Sequence, residues 1–534
     1  MSALGERIKY HRCSISRVQS APLWYTLRPS RVFTIIVLSS VSFAQINHVE
    51  VAARLLSQGQ LDQAETEARK ALGNMSTRAL ALAMLGTIRL QESNYAESTS
   101  FLTQALALNP HLVGARTSLG SAYLFQGKPE LARENFQEAL RLDSGNVNAR
   151  FNLAKVEASL HNFQQSLDVS KPIVPQLRET EDGLLLLATD YGALGRKEKL
   201  KSLVGDWQRM PAASPESSLD FGNVLATYGM EGEAKAVFES QEAKVTEQPT
   251  LAFKLGRGYL ALGMLDPAEH NLEHALTLNP QCVACEQSLA EVAERQGDTE
   301  KALAHLIAAK QKDPENPEIL FEFGKMCLQR NLLDDALPAL AKAVALKPDS
   351  EPYIYVLASA NVAQHNLSKA ALLFGELLQK HPQDAILNYA MGAVYYLQGK
   401  YSEAEASLKE SLRVQHEQVA ASYYLGLTYD SEGQDDQAVE IFRDLLKSYP
   451  KHAPSHVKLG SILLRQHQYD EAQQALERAV ALDPGSVEAH YQMGLLLRRL
   501  GKTAESDQEF AESRKLEEER RAQTDVHLRL LLPE

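Results

Sequence analysis

Residues Gly399 to Leu408 read GKYSEAEASL: a glycine, an aromatic two places on and an alanine three beyond that, with no clustering of catalytic residue types. Gly433 and Ala438 stand 34 residues after Gly399 and Ala404, and Ala370 stands 34 before Ala404. The spacing is a period. A 34-residue frame set at Gln45 runs without insertion through starts at 45, 79, 113, 147, 181, 215, 249, 283, 317, 351, 385, 419, 453 and 487, ending at Arg520.

Position 7 of the frame is apolar in all fourteen units, from Val51 to Met493. Position 8 is glycine in nine units and alanine in the other five (Ala52, Ala154, Ala188, Ala290, Ala358). Position 20 is alanine in ten units, serine in three (Ser98, Ser166, Ser506) and Leu200 in one. Two small positions twelve apart describe two helices whose backbones approach closely, because a larger side chain would hold them apart. Pro110, Pro280, Pro314, Pro348, Pro382, Pro450 and Pro484 share position 32, where a missing N–H and a fixed φ end a helix. Each unit therefore reads helix, turn near position 15, helix, stop. In the opening stretch Gly399 frees the turn, Tyr401 packs at the entry of the second helix, and Ala404 lets that helix approach Gly392. One such pair cannot bury its own apolar face, so every unit must cap the next.

These residues resemble the tetratricopeptide repeat: a large apolar residue then Gly or Ala at 7–8, an aromatic at 11 (Tyr123, Tyr191, Tyr259, Tyr395, Tyr429), Gly near 15, Ala at 20 and Pro at 32. The family's Trp at position 4 is missing, and units 147, 181 and 215 lack the Ala-20/Pro-32 pair, so stacking around Pro211 and Pro215 is expected to depart from the pattern. The resemblance implies an all-α fold, an α-solenoid in which about fourteen repeats form a right-handed superhelix over residues 45–520. Residues 521–534, which close with Leu528, Leu530, Leu531 and Leu532, read as a capping segment or as a partner-binding tail.

With 44% apolar and 23% charged residues the composition is that of an ordered soluble chain. Net charge is +5 over residues 1–44 and −18 over the rest, the wrong sign for a body that tracks a phosphate backbone; nucleic acid is excluded as an expected partner. The basic start leads into VFTIIVLSSVSFA, thirteen uncharged residues from Val32 to Ala44. That is the order of a secretory signal peptide cut at Ala44/Gln45, although the basic region is long and an organelle transit peptide or a retained anchor has the same ingredients. A run this short falls below the about 20 residues of a membrane span. The expected mature protein is exported, periplasmic or secreted, with no integral span.

Two short motifs carry candidate chemistry. His270 to His274 reads HNLEH, the H-x-x-E-H pattern of a zinc hydrolase, yet frame positions 22 and 26 lie on the outer face of a second helix, which offers no pocket. Cys282 to Cys285 is the chain's one C-x-x-C; it sits at a helix start and reads as a local disulfide or as free thiols, with a working redox pair as the sharper alternative. Cys327 reads as a core filler. No phosphate loop, nucleophile elbow, cofactor site or metal site is read elsewhere, and the repeats leave no room for an enzyme domain.

In the family, first helices line a concave groove through positions 2, 5, 9, 12 and 13. Position 5 here is Phe151, Phe253, Phe321, Tyr355, Tyr389, Tyr423 and Tyr491, an aromatic stripe that either grips an extended or helical peptide or fills space between neighbours. Lys458, Arg465, Arg498 and Arg499 occupy groove-side positions or their neighbours, a basic pocket suited to an acidic segment or a chain carboxylate. The family's Lys–Asn–Asn–Lys–Arg carboxylate clamp is not matched, and Asn152 alone does not make an asparagine ladder. The expected function is a non-catalytic scaffold or assembly factor binding protein or peptide partners, the alternative being an accessory glycan- or polymer-binding module. The sequence names neither the partner nor the oligomeric state.

Overall fold

A computed structural model of the chain describes residues 46–530 apart from 211, 212 and 246, with side chains from His48 to Arg520. The leader, its cut at Ala44/Gln45, and Leu531 and Leu532 lie outside the described residues, as does Pro211. What is described is helical, with no strand. First helices begin at Val113 and at every thirty-fourth residue thereafter to Val487; second helices begin at Leu61 and at every thirty-fourth residue to Thr503. The chain divides into two compact α-solenoid units at the turn of the repeat starting at 283, one ending at Asp298 and the other beginning at Thr299.

The turn obeys one rule in every repeat. Position 15 has a positive φ at all fourteen sites: nine glycines, and Ser93, His161, Asn331, His365 and His467. At Gly399 the φ is 73°; its N–H donates to the Tyr396 carbonyl and the Lys400 N–H donates to the Tyr395 carbonyl, both at 2.9 Å. This double bond pattern ends a helix by turning one residue left-handed. No atom stands within 4 Å of a Cβ built on Gly399, so the restraint there is conformational and not steric. Gly399→Ala is expected to cost about 1 kcal/mol, and His365→Gly, at the exposed equivalent with a φ of 59°, to gain about 0.5–1 kcal/mol. Urea unfolding monitored by helical circular dichroism measures both.

The close approach predicted between positions 8 and 20 has a third member. A Cβ on Gly86 would stand 2.5 Å from Leu102 Cγ, one on Gly392 2.6 Å from Leu408 Cγ, and one on Gly426 2.6 Å from Phe442 Cζ. The contacting residue is always at position 24, one turn beyond the small position 20, and it is fully buried at Leu102, Phe136, Phe238, Leu272, Leu340, Leu408, Phe442 and Leu476. The missing side chain of the first helix is thus the socket for a large one on the second. At two of the three serines of position 20 the hydroxyl serves the first helix of its own repeat: Ser98 Oγ donates to the Gly86 carbonyl and Ser506 Oγ to the Gly494 carbonyl, both at 2.8 Å.

Repeats 147 and 181 depart from the socket pattern, while repeat 215 keeps it through Gly222 and Phe238. The second helix of repeat 147 stops at Ser170 and continues as a short 3-10 turn, Lys171–Ile173, and a single turn, Val174–Leu177. Gly183 accommodates this extra turn, since a Cβ there would lie 2.2 Å from the Leu177 carbonyl oxygen. Aromatic packing takes over from the small-residue contact: Trp207 stacks on Phe221 with centroids 4.3 Å apart, and a Cβ on Gly192 would strike the Tyr228 ring. Pro215 opens its helix at N1, with Ser214 as cap; Glu181 accepts from the Ser214 N–H and Oγ at 3.0 Å each. Within this core Asp190 is fully buried. Ser166 Oγ donates to its Oδ2 at 2.6 Å, and its Oδ1 has no hydrogen-bond partner.

The last helix, Thr503–Leu530, is 28 residues long where most others have 11 to 14. Among the described residues, no helix is long and apolar enough to cross a membrane.

Candidate interaction surface

The first helix of repeat 385, Ala385–Leu397, reads AILNYAMGAVYYL and carries no charged side chain. The first helices on either side have one acid each: Glu351 at the start of Glu351–Ala363, and Asp430 near the end of Val419–Ser431. On this uncharged stretch Ile386 is 50% exposed, and Tyr355, Tyr389, Tyr396 and Leu397 are half-buried. Tyr389 and Tyr396 both meet the Tyr424 ring edge to face, at 5.8 and 5.6 Å, and Tyr396 lies 6.0 Å from Tyr401. Burial raises the pKa of the Tyr389 and Tyr424 phenols above their ordinary value, so both keep their protons.

Position 24 decides where each position-5 ring goes. Where it is Phe, the ring packs on it within its own repeat: Tyr355 on Phe374 at 5.4 Å, Tyr423 on Phe442 at 5.9 Å and Tyr491 on Phe510 at 5.6 Å. Where it is Leu, the ring reaches the next repeat: Phe321 stacks on Tyr353 at 4.3 Å and Tyr389 meets Tyr424. The stripe is therefore not one continuous surface. Tyr423 is 8% exposed and also held by His452 at 5.3 Å, which makes it a core residue, whereas Tyr491 is 48% exposed. In the first unit Phe151 lies under the Lys155 ammonium at 5.2 Å, and Phe253 is half-buried against Cys285. Tyr396 and Tyr424, at positions 12 and 6, complete the cluster; position 12 is a groove position, so Tyr396 was within reach of the sequence rule.

Three of the four residues expected to form a basic pocket have acidic partners within the array. Lys458 pairs with Glu488 at 2.5 Å, Arg465 with Asp430 at 2.5 Å and Asp435 at 2.7 Å, and Arg498 with Asp507 at 3.1 Å while lying over the Phe510 ring. Each of these three cations has an acid of the array beside it, and Arg499, the fourth, is exposed. On the other side of the uncharged stretch, Glu318 pairs with Lys347 and Glu322 with Lys325. An apolar aromatic floor between rims of paired charge has the anatomy of a protein interface.

Sequence models of the tetratricopeptide repeat match residues 117–169, 389–453 and 457–515, and the middle TPR-like domain of cilia and flagella-associated protein 70 matches residues 286–415. Together they cover about half of the chain. The chain belongs to the tetratricopeptide repeat family. This repeat protein is 25% identical over 285 residues to Protein CTR9 homolog of Arabidopsis thaliana, across 51% of this chain and 26% of that protein. It is also 25% identical over 167 residues to Protein O-mannosyl-transferase TMTC1 of Homo sapiens, across 30% of this chain and 19% of that protein. The chain thus spans about a quarter or less of the length of these relatives. Among solved structures, the APC/C hetero-tetramer Cut9-Hcn1 aligns with a TM-score of 0.43 and 14% identity, over 92% of this chain and 97% of that one.

The two short motifs sit inside the repeats. Leu272 and Ala275 are fully buried and His270 is exposed on the outer side of its second helix; among the described residues no group of three or more His, Cys, Asp or Glu is arranged to hold a metal ion. Cys282 and Cys285 are joined by a disulfide. Cys327 is free and buried.

Proposed function

We propose that the protein is an exported, non-catalytic scaffold that holds a polypeptide partner on the uncharged first-helix face of repeats 351, 385 and 419. The single observation behind this reading is the run Tyr355, Ile386, Tyr389, Tyr396 and Leu397, partly open to solvent on the first helices of two consecutive repeats with no charge among them. Rigid aromatic side chains supply large contact area at low entropic cost, and a few of them carry most of an interface's binding energy. The partner segment it suits is apolar or aromatic at its centre.

Capture of partners from the native source by the full chain tests it. Tyr389→Ala combined with Tyr396→Ala is expected to weaken capture by roughly tenfold or more, with helical content retained. Leu372→Ala, at a site 65% exposed on an outer helix, is expected to leave capture unchanged. Equal capture by both variants, or saccharide retained in place of polypeptide, overturns the reading. The export half is tested by sequencing the amino terminus of the protein from its source: a start at Gln45 supports it and a start at Met1 opposes it.

A further inference from the structure

The Cys282–Cys285 bridge takes no part in the surface above. Cys282 is the N-cap of helix Val283–Gln296, and its Sγ accepts the Cys285 N–H at 3.1 Å. In four other repeats this cap is an ordinary oxygen, from Asn146, Asn316, Asp384 or Ser486. Here the same task falls to a sulfur bonded to the residue it caps. The two sulfurs differ in access: Cys285 is fully buried with Ala252 and Ala275 and packed by Phe253 and Leu276, whereas Cys282 is half-buried.

We propose that Cys282–Cys285 is a reversible thiol–disulfide site that exchanges with low-molecular-weight thiols of the glutathione class, Cys282 being the sulfur attacked. Three physical features support this. A bridge between residues three apart closes a very short loop, so it removes little entropy from the unfolded chain, and the helix already holds both residues without it. Only one sulfur is reachable, which fixes the order of events. Once reduced, the Cys282 thiolate stands at a helix N-terminus with a backbone N–H aimed at it, the setting that stabilises a thiolate. The neighbouring Glu286 carboxylate, in the same turn, opposes that stabilisation.

In the exchange an external thiolate attacks Cys282 Sγ and the intramolecular S–S bond breaks. The electron pair leaves on Cys285 Sγ, which takes up a proton. A second thiolate then attacks the external sulfur of the mixed disulfide and releases Cys282 as thiolate. One bridge and two small thiols become two protein thiols and one small disulfide.

The test uses the full chain in millimolar reduced and oxidised glutathione, followed by alkylation and peptide mapping. The expected results are reversible gain and loss of two alkylation sites at 282 and 285, with Cys282 labelled about tenfold or more faster than Cys285 in the reduced protein. Cys285→Ser should accumulate one glutathione at Cys282, and Cys282→Ser none at Cys285. Cys327 serves as internal control, since burial pushes its thiol up to about 12. A bridge that persists in millimolar reduced glutathione, or equal labelling of the two sulfurs, overturns the proposal. Helical content unchanged on reduction is expected throughout.

Discussion

Asp190→Asn should remove the fall in stability that Asp190 contributes to the wild-type protein between about pH 4 and pH 7. Burial, opposed by the hydrogen bond from Ser166, raises the Asp190 carboxyl from 3.8 to about 7. Below both values the folded and unfolded chains each hold the proton, and the residue contributes nothing to pH dependence. As pH rises from about 4, the unfolded chain gives up its proton while the folded chain keeps it, so stability falls; above about 7 both are ionised and the loss is complete. Three pKa units correspond to about 4 kcal/mol. The phenols of Tyr191 and Tyr228 face the same carboxyl, with Arg178 and Arg196 beyond Tyr191; neither phenol ionises in this window. Guanidinium unfolding of both proteins from pH 4.5 to 8 gives the difference slope. Parallel curves would mean that Asp190 is ionised and paired in the folded chain.

The second large effect belongs to the socket between positions 8 and 24. Gly392→Val would place a Cβ 2.6 Å from Leu408 Cγ and 3.3 Å from the Ala404 carbonyl oxygen. The Leu408 side chain can turn away, but the Ala404 backbone cannot, so the two helices must separate. The expected cost is about 3 kcal/mol. Leu408→Ala, which empties the socket, should cost about 2–5 kcal/mol. Gly392→Ala with Leu408→Val should cost less than the two changes added separately, by about 1 kcal/mol or more, because the smaller partner makes room for the methyl group. Of the five repeats with alanine at position 8, three already pair that way, Ala52 with Ala68, Ala154 with Ser170 and Ala188 with Val204, while Ala290 and Ala358 face Leu306 and Phe374. Because each repeat leans chiefly on its neighbours, the destabilisation should be concentrated in repeats 351 to 419 and measured there by amide hydrogen exchange.

The period, the two small positions and the turn were legible because each rests on a residue type that only backbone geometry or close approach requires. Position 24 was not, since a Leu or Phe in a helix looks like any other core residue until its socket is seen. The same omission hid the fate of the position-5 rings: Tyr423 and Tyr389 occupy equivalent places in the sequence, yet Tyr423 packs on Phe442 in its own repeat and Tyr389 reaches Tyr424 in the next. The partners of the basic residues were hidden for a different reason. Lys458 finds Glu488 thirty residues away and Arg465 finds Asp430 thirty-five away, partners that a one-helix view of charge does not bring together. Asp190 sits at a position with no rule of its own, inside repeats where aromatic packing replaces the small-residue contact.

The most direct test of the interaction surface is photo-cross-linking from single sites in the full chain, with a photoreactive phenylalanine at Tyr396 and, separately, at Leu372. A polypeptide adduct that Tyr389→Ala suppresses is expected from position 396, and none from position 372. Adducts of equal yield from both sites, or an adduct from 372 alone, would contradict it.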